Sequence, residues 1–303
     1  MKKIAIIING ISLQQQRFYS RIQPVLKKVA TVDVYETRMQ GHAIDLTARA
    51  VHKGYDAILA AGGDGTLNEV INGILRGNDQ SELLPVAGLI PLGSANDYAR
   101  TLELSAEPDA IVEMIRNFRE RAVDIGKINF VNEPKTPPRY FINIADTGMG
   151  PEVVRRMLDS DRTFGTLAAY YSAIFSTFFT CRFLPVEITT PEWQWQGDCR
   201  VIAIAKGKYF GSGIGIAPDA VPDNQEFACT LVGKVSLLDF ILQQGRLRKA
   251  RYAKHRNIDY RKATLLELTS PHNDMWIEAD GELAGKLPVT IELLPKRIRF
   301  LIQ

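Results

Sequence analysis

The run GGDGT at positions 62–66 combines residue types and a spacing that suggest binding of an anion. It follows an apolar stretch and precedes a helical pattern. Its glycines allow the main chain to approach a ligand, and the free N–H groups of a helix start favour negative charge. A plain strand-to-helix turn needs only one glycine, whereas three glycines around Asp64 favour a phosphate site. The run is not a Walker A motif, and Asn68 stands where GxGxxG has its third glycine.

A second glycine loop, PLGSAND at 91–97, also follows an apolar stretch. Because the carboxyl ends of parallel strands meet at one edge of a sheet, both loops are expected to face the same ligand. Asn96 or Asp97 alone would be an ordinary helix cap, so it is the pairing with the first loop that favours a functional role. The later run ADGE at 279–282 is, on its own, only typical of a hairpin turn.

The composition is that of an ordinary globular protein. The 303 residues include 37 Lys and Arg against 34 Asp and Glu, a net charge of +3, and 46% are apolar. These values exclude a disordered chain and a strongly basic nucleic-acid binder, and the length fits one large domain or two of medium size. Three cysteines without a CxxC pair and four scattered histidines predict neither a disulfide framework nor a zinc site. They favour the cytoplasm, a reducing compartment.

Strand and helix patterns alternate over the first 125 residues, which predicts a mainly parallel sheet with helices on both faces. We predict strands over 3–9, 31–36, 56–61 and 85–92, and helices over 15–29, 42–52, 66–75 and 109–119. After Asp124 the strands are separated by turn clusters, which is typical of an antiparallel β-sandwich. We predict strands there over 127–130, 139–145, 185–190, 200–205, 227–232, 264–268, 275–279 and 289–294.

The predicted fold is therefore α/β plus β. An N-terminal α/β domain over 1–125, completed by a last strand at 296–303, binds the ligand of the glycine loops, and an antiparallel β-sandwich domain spans 126–295. The stretch 163–181 carries no charge, but its Ser, Thr and Tyr residues favour a helix buried against protein or lining a lipid-accessible cleft over a membrane span. The basic run 246–256 fits a solvated helix face and an anionic membrane contact equally well.

Taken together, the motifs resemble the diacylglycerol kinase catalytic family, in particular its bacterial lipid kinase branch, which also includes sphingosine kinases. The resemblance covers essentially the whole chain. It is carried by Asn9-Gly10, Thr37 with 41–43, the glycine loops at 62–72 and 91–100, Asp124, the run 209–220 and Asp280-Gly281-Glu282. Three departures stand out, which are Gly10 in place of proline, Lys206 in place of asparagine, and Asp223-Asn224 in place of Asp-Gly.

The resemblance implies transfer of the ATP γ-phosphoryl group to a lipid hydroxyl with the help of Mg²⁺. Asp280 is the expected base, supported by Glu282, with Asp64 as the second candidate; Asp64 and Asp97 are the expected ligands of a catalytic magnesium. The residues expected to bind the nucleotide are Asn9, Thr37, Gly62, Gly63, Gly65, Thr66, Asn68, Glu69, Gly93, Ser94 and Asn96. Asp219 and Asp223 would supply ligands to the structural magnesium of some members, but the change to Asp-Asn argues against that metal.

Two alternatives remain open from the residues alone. NAD kinases also carry GGDGT, although the second loop and Asp-Gly-Glu fit lipid kinases better; a catalytically inactive lipid-binding protein would share the same scaffold. Diacylglycerol, monoacylglycerol, phosphatidylglycerol and long-chain bases are all compatible acceptors. We expect peripheral contact with a membrane surface from the cytoplasmic side and no nucleic-acid partner, and a homodimer is compatible with the sequence.

Overall fold

The computed structural model describes residues 1–12, 14–77, 84–159, 166–272 and 275–303, and the side chains of 166–169 fall outside the description. The chain divides into two units. Unit 1 comprises Met1–Val123 and Lys296–Gln303, and unit 2 comprises Asp124–Pro295.

Unit 1 is built on parallel strands in the order β2-β1-β3-β4. Its strands are β1 (Lys2–Ile8), β2 (Ala30–Glu36), β3 (Ala57–Gly62) and β4 (Val86–Pro91). Its helices are α1 (Gln15–Arg17), α2 (Gln23–Leu26), α3 (His42–Val51), α4 (Asp64–Arg76), α5 (Asp97–Thr101) and α6 (Pro108–Asn117). Every residue of β3 and β4 is buried, as expected for central parallel strands covered on both faces.

The helix predicted over 15–29 is interrupted in the structure. A π-helical segment, Phe18–Ile22, separates α1 from α2. Pro24 explains the break, because proline has no N–H to donate to the carbonyl of Ser20 and its ring crowds the preceding turn. Phe18, Ile22 and Leu26 still reach the core of unit 1, so the apolar spacing places the buried face correctly.

Unit 2 is a sandwich of antiparallel strands. Its first sheet has the order β12-β11-β10-β7-β14-β15, and in its second sheet β13 lies between β16 and β8, with β9 beyond β8. The strands are β5 (Glu120–Phe130), β6 (Arg139–Phe141), β7 (Ile144–Gly148), β8 (Leu184–Thr189), β9 (Gln194–Cys199), β10 (Val201–Ala205), β11 (Phe227–Val232), β12 (Ile258–Ala263), β13 (Leu265–Thr269), β14 (Trp276–Ala279), β15 (Glu282–Lys286) and β16 (Val289–Leu301). Residues of β5 and β16 contribute to both units. The predicted fold class, an α/β domain plus an antiparallel β domain, is confirmed.

The core of unit 2 lies between its two sheets. Alternate residues such as Ile202 and Ile204 of β10 pack in one cluster with Leu266 and Leu268 of β13. Three helices, α7 (Met149–Leu158), α8 (Thr166–Thr180) and α9 (Leu237–Leu247), supply side chains to a second cluster on the other face of the first sheet.

The uncharged stretch at 163–181 lies partly outside the described residues, and its described part forms α8. Within the described ranges, no helix combines the length and the apolar character that a bilayer crossing requires.

Candidate active site

The two glycine loops of unit 1 contact each other main chain to main chain. They follow the neighbouring strands β3 and β4, and the N–H of Leu92 donates to the carbonyl of Gly62 at 2.9 Å. A Cβ added to Gly93 would lie 2.3 Å from the Cα of Gly63 and 2.8 Å from its nitrogen. A Cβ on Gly63 would lie 3.1 Å from the Cα of Gly93. Position 93 therefore requires glycine, because a Cβ atom there would lie closer to the main chain of Gly63 than Cβ atoms lie to other atoms in proteins.

Asp64 and Asn96 hold this pair of loops in place. The Asp64 carboxylate accepts the N–H groups of Asp97 at 3.0 Å and Tyr98 at 2.9 Å, which joins the first loop to the start of α5. Burial raises the pKa of Asp64, while these two N–H bonds work in the opposite direction. The Asn96 side chain accepts from Gly93 N at 2.9 Å and donates to Gly93 O at 2.8 Å. Asp64 therefore joins the two loops, and Asn96 fixes the shape of the second loop.

A third loop, after β2, is tied to α4. The Glu69 carboxylate accepts the N–H groups of Gly41 at 2.8 Å and Ala43 at 2.9 Å. The Thr37 hydroxyl accepts the N–H of Gly10 at 3.3 Å, which joins this loop to the end of β1. A cleft in unit 1 is lined by Gly10, Ile11, Glu36, Thr37, Arg38 and His42.

The remaining residues predicted to bind the nucleotide differ in their surroundings. The Asn9 side chain accepts the N–H of Ile11 at 3.1 Å, and Ser94 is exposed on its loop. Asn68 is fully buried in α4, where its side-chain oxygen accepts from Asn72 at 3.1 Å. Gly62 leaves room for Thr66, whose Oγ1 would lie 2.4 Å from an added Cβ. The third glycine, Gly65, lies in the first turn of α4.

Asp280 lies in unit 2, in the turn between β14 and β15. Its Oδ1 accepts the N–H groups of Asn143 at 3.0 Å and Ile144 at 2.9 Å, and its Oδ2 accepts that of Ile142 at 3.0 Å. The residue has a φ of 52°, and Glu282 begins β15 with its side chain partly exposed. The carboxylate therefore anchors the chain that enters β7.

The sequence analysis did not identify a buried pair of acidic side chains beside this turn. Asp146 of β7 and Glu278 of β14 are register partners on adjacent strands, and both are buried. A Cβ on Gly150 would lie 1.9 Å from Asp146 Oδ1, so only glycine fits there in the first turn of α7. Burial raises the pKa of Asp146 to about 6. Burial, and then the charge of Asp146, raise the pKa of Glu278 well above its ordinary value.

The acid pair predicts a pH-dependent stability. Because the folded-state pKa of Asp146 lies above its ordinary value of 3.8, the folded state loses stability from this group as pH rises from about 4 to about 6, and the raised pKa of Glu278 adds a further loss as that group ionises. Asp146→Asn removes this cost, so its Tm relative to the wild type should be higher at pH 8 than at pH 5. Differential scanning fluorimetry at both pH values measures the difference. Asp198→Asn, on an exposed side chain, is the control, and an equal difference at both pH values would contradict the prediction.

The candidate structural-metal residues do not fit a metal site. Asp219 accepts the hydroxyl of Tyr252. Among the residues that the structure describes, no three His, Cys, Asp or Glu side chains are grouped to hold a metal ion. The acid at the start of unit 2, Asp124, is paired with Lys206 at 2.7 Å.

Comparison with known proteins accounts for both units. The model of the diacylglycerol kinase catalytic domain matches residues 3–128, and that of the YegS C-terminal NAD kinase beta sandwich-like domain matches residues 143–302. A diacylglycerol kinase of Staphylococcus saprophyticus is 30% identical over 95% of this chain and 92% of its own length. One from Staphylococcus aureus is 28% identical over 98% of this chain and 92% of its own length.

Solved structures agree with this assignment at the level of the fold. The crystal structure of a diacylglycerol kinase from Bacillus anthracis has a TM-score of 0.74 at 20% identity and covers all of this chain and 97% of its own. Yeast NADH kinase in complex with NADH is more distant, with a TM-score of 0.52 at 8% identity, over all of this chain and 84% of its own. The loops, the sandwich and these matches together show that the chain belongs to the diacylglycerol kinase family and is a lipid kinase.

Proposed function

We propose that the protein transfers the γ-phosphoryl group of ATP to a hydroxyl of a diacylglycerol-like lipid. The observation that carries the proposal is the contact between the glycine loops, in which Gly93 approaches Gly63 so closely that no side chain fits at position 93. Where no side chain intervenes, main-chain N–H groups at the start of a helix can bind the anionic oxygens of a polyphosphate. In the reaction the lipid oxygen attacks the γ-phosphorus, the bond to the β-phosphate oxygen breaks, and ADP leaves.

The predicted site residues of unit 1 have distinct roles in this proposal. The loops at 62–66 and 93–97 bind the phosphates. Asp64 holds the two loops together through its hydrogen bonds to the start of α5. Asp97, which is buried, is the carboxylate we assign to magnesium, because Mg²⁺ at such sites takes one or two carboxylates besides substrate phosphates. When bound, the ion would neutralise charge on the phosphates. We assign the nucleoside to the cleft that Gly10 and Thr37 line, and Asn9 directly precedes Gly10.

We assign the proton acceptor to Asp280. An alcohol is a poor nucleophile and needs a base as the new bond forms. Three main-chain N–H groups fix the Asp280 carboxylate, with two on Oδ1 and one on Oδ2, which gives Oδ2 the better opportunity to accept a proton. Asp64 likewise has both oxygens engaged by main-chain N–H groups, those of Asp97 and Tyr98, and stays the second candidate for the base.

A panel of acceptors tests the proposal. The full chain is incubated with ATP labelled at the γ-phosphate and with dioctanoylglycerol, a long-chain base, NAD⁺ or no acceptor. We expect label in the phosphorylated glycerolipid above all other products. Preferential label in NADP⁺ would replace the proposal with a dinucleotide kinase, and label in no acceptor would favour an inactive lipid-binding protein.

We further propose that the lipid is met at an anionic membrane, through an exposed apolar patch on α8 and α9. The patch consists of Phe175, Phe179, Leu238, Ile241 and Leu242, with Phe179 78% and Leu242 70% exposed. The two helices touch through the rings of Phe178 and Phe240, whose centroids lie 5.3 Å apart. The basic run at 246–256 begins in the last turn of α9 and contains no acid. Positive charge next to exposed apolar side chains is complementary to an anionic bilayer.

Leu242→Asp should weaken binding to vesicles that contain phosphatidylglycerol by about tenfold or more, because burying a leucine side chain contributes about 1.5–3 kcal/mol. Co-sedimentation with such vesicles measures the effect. Val131→Asp, a matched change at an exposed site of unit 2 outside the patch, should bind like the wild type. Equal binding by both variants would show that the patch does not face the membrane.

A further inference from the structure

Lys206 is a cation enclosed in the interior of unit 2. It follows the last residue of β10, and its side chain is fully buried, as is that of Asp124. Its Nζ lies 2.7 Å from Asp124 Oδ2, 2.7 Å from Asn224 Oδ1 and 2.8 Å from the carbonyl oxygen of Glu226. An ammonium group has three N–H donors, and these three oxygens satisfy all of them.

The chain around Lys206 places several oxygen atoms next to its ammonium group. Asp124 donates its N–H to Pro222 O at 2.8 Å, and its Oδ2 accepts the N–H of Gln225 at 2.7 Å. The segment 222–226 therefore wraps around the carboxylate that binds the ammonium. A carboxylate, an amide oxygen and a main-chain carbonyl are also the donors that Mg²⁺ or Ca²⁺ takes in proteins.

The main chain at Lys206 is connected to Asp280. The main-chain N–H groups of Lys206 and Gly207 both donate to the carbonyl of Asn143, at 2.8 and 3.1 Å. The N–H of Asn143 in turn donates to Asp280 Oδ1. The main chain at Lys206 and the carboxylate of the proposed base are thus joined through one residue, Asn143, of the chain entering β7.

We propose that the ammonium of Lys206 is a built-in cation that takes the place of the structural magnesium implied by the family resemblance, so that unit 2 needs no divalent metal there. The asparagine that the family has at this position carries no charge, and Lys206 supplies the positive charge that Asp124 requires in the interior. A divalent ion cannot enter beside a buried ammonium, because the two positive charges would repel each other at short range. The proposal does not depend on the nucleotide or the acceptor lipid.

Thermal unfolding of the nucleotide-free full chain tests the proposal. The wild-type Tm should be the same in EDTA and in millimolar MgCl₂ or CaCl₂. Lys206→Asn removes the cation and leaves oxygen donors, so its Tm should be low in EDTA and should rise saturably with added divalent ion. Adding Asp124→Asn to this variant should abolish the rise, which identifies the site. A saturable rise in the wild type, or none in Lys206→Asn, would overturn the proposal.

A second pair of variants covers the case in which Lys206→Asn does not fold. Lys206→Met leaves Asp124 buried and uncompensated, so its Tm should fall by about 6–15 °C. The double variant Lys206→Met/Asp124→Asn removes both charges and should recover a large part of that loss. A double variant no more stable than Lys206→Met would show that the pair does not act as a unit. Because the readout is unfolding, its outcome is separate from that of the activity measurements.

Discussion

Asp280→Asn is expected to lower kcat for lipid phosphorylation by about two to four orders of magnitude, the usual contribution of a general base. Nucleotide affinity should stay nearly unchanged, because the three main-chain hydrogen bonds of Asp280 lie within unit 2, whereas the glycine loops lie in unit 1. Asparagine tolerates the left-handed backbone at φ 52°, so the turn itself should persist. The paired measurement is kcat with a competent lipid and nucleotide affinity by titration.

The Asp280 variant also needs a measurement of stability. An amide has one oxygen where the carboxylate has two, so it cannot accept all three main-chain N–H bonds, and Tm should fall. Assays are therefore run well below the Tm of both proteins, with the exposed substitution Asp198→Asn as the matched control. Near-normal kcat would move the base to Asp64. Lost nucleotide affinity would show that Asp280 is a structural or nucleotide-binding residue.

Gly93→Ala, unlike Asp280→Asn, should act on nucleotide binding. We expect it to weaken nucleotide binding by about tenfold to a hundredfold, since overpacking of this kind costs about 1–3 kcal/mol. The added methyl would lie 2.3 Å from the Cα of Gly63, and main chain cannot rotate away as a flexible side chain can. The two loops must separate, and their N–H groups then no longer converge. Isothermal titration with a non-hydrolysable ATP analogue measures the loss.

Gly245→Ala is the matched control for this substitution. Gly245 lies in α9, and beyond its chain neighbours and the main chain of its own helix no atom lies within 4 Å of the Cβ that alanine would add. The same chemical change should therefore leave nucleotide affinity intact and raise helix stability slightly. Unchanged nucleotide affinity in Gly93→Ala would show that the contact between the loops is not needed for binding.

Local signals in the sequence were sufficient for the fold class and the glycine loops. Buried runs such as β3 and β4 are apolar throughout, and they are followed by Gly63 and Gly93, whose main chains approach each other closely. The sequence analysis did not predict the less regular elements. The strand β9 reads QWQGDC and has little apolar character, and α7 begins in a glycine-rich turn. The helix α9 did carry a readable signal, because Ser236 and Asp239 form a capping box at its start.

Pairs formed across the fold could not be predicted from local pattern. Lys206 and Asp124 are far apart in the chain, and nothing in either neighbourhood indicates that their charges meet in the interior. Asp146 and Glu278 meet only because β7 and β14 are adjacent in that register. The sequence marks Asp280 through its turn, but its three main-chain bonds depend on where the chain entering β7 lies. Such pairings follow from tertiary structure.

Transfer of the γ-phosphoryl group to a glycerolipid is tested most directly by following the label itself. The full chain is incubated with ATP labelled at the γ-phosphate and dioctanoylglycerol in mixed micelles, and lipid phosphate and ADP are quantified together. We predict labelled phosphatidic acid and ADP in equal amounts, with both products lost in Asp280→Asn. ADP formed without labelled lipid, or label in inorganic phosphate alone, would contradict the assignment of a diacylglycerol-like acceptor.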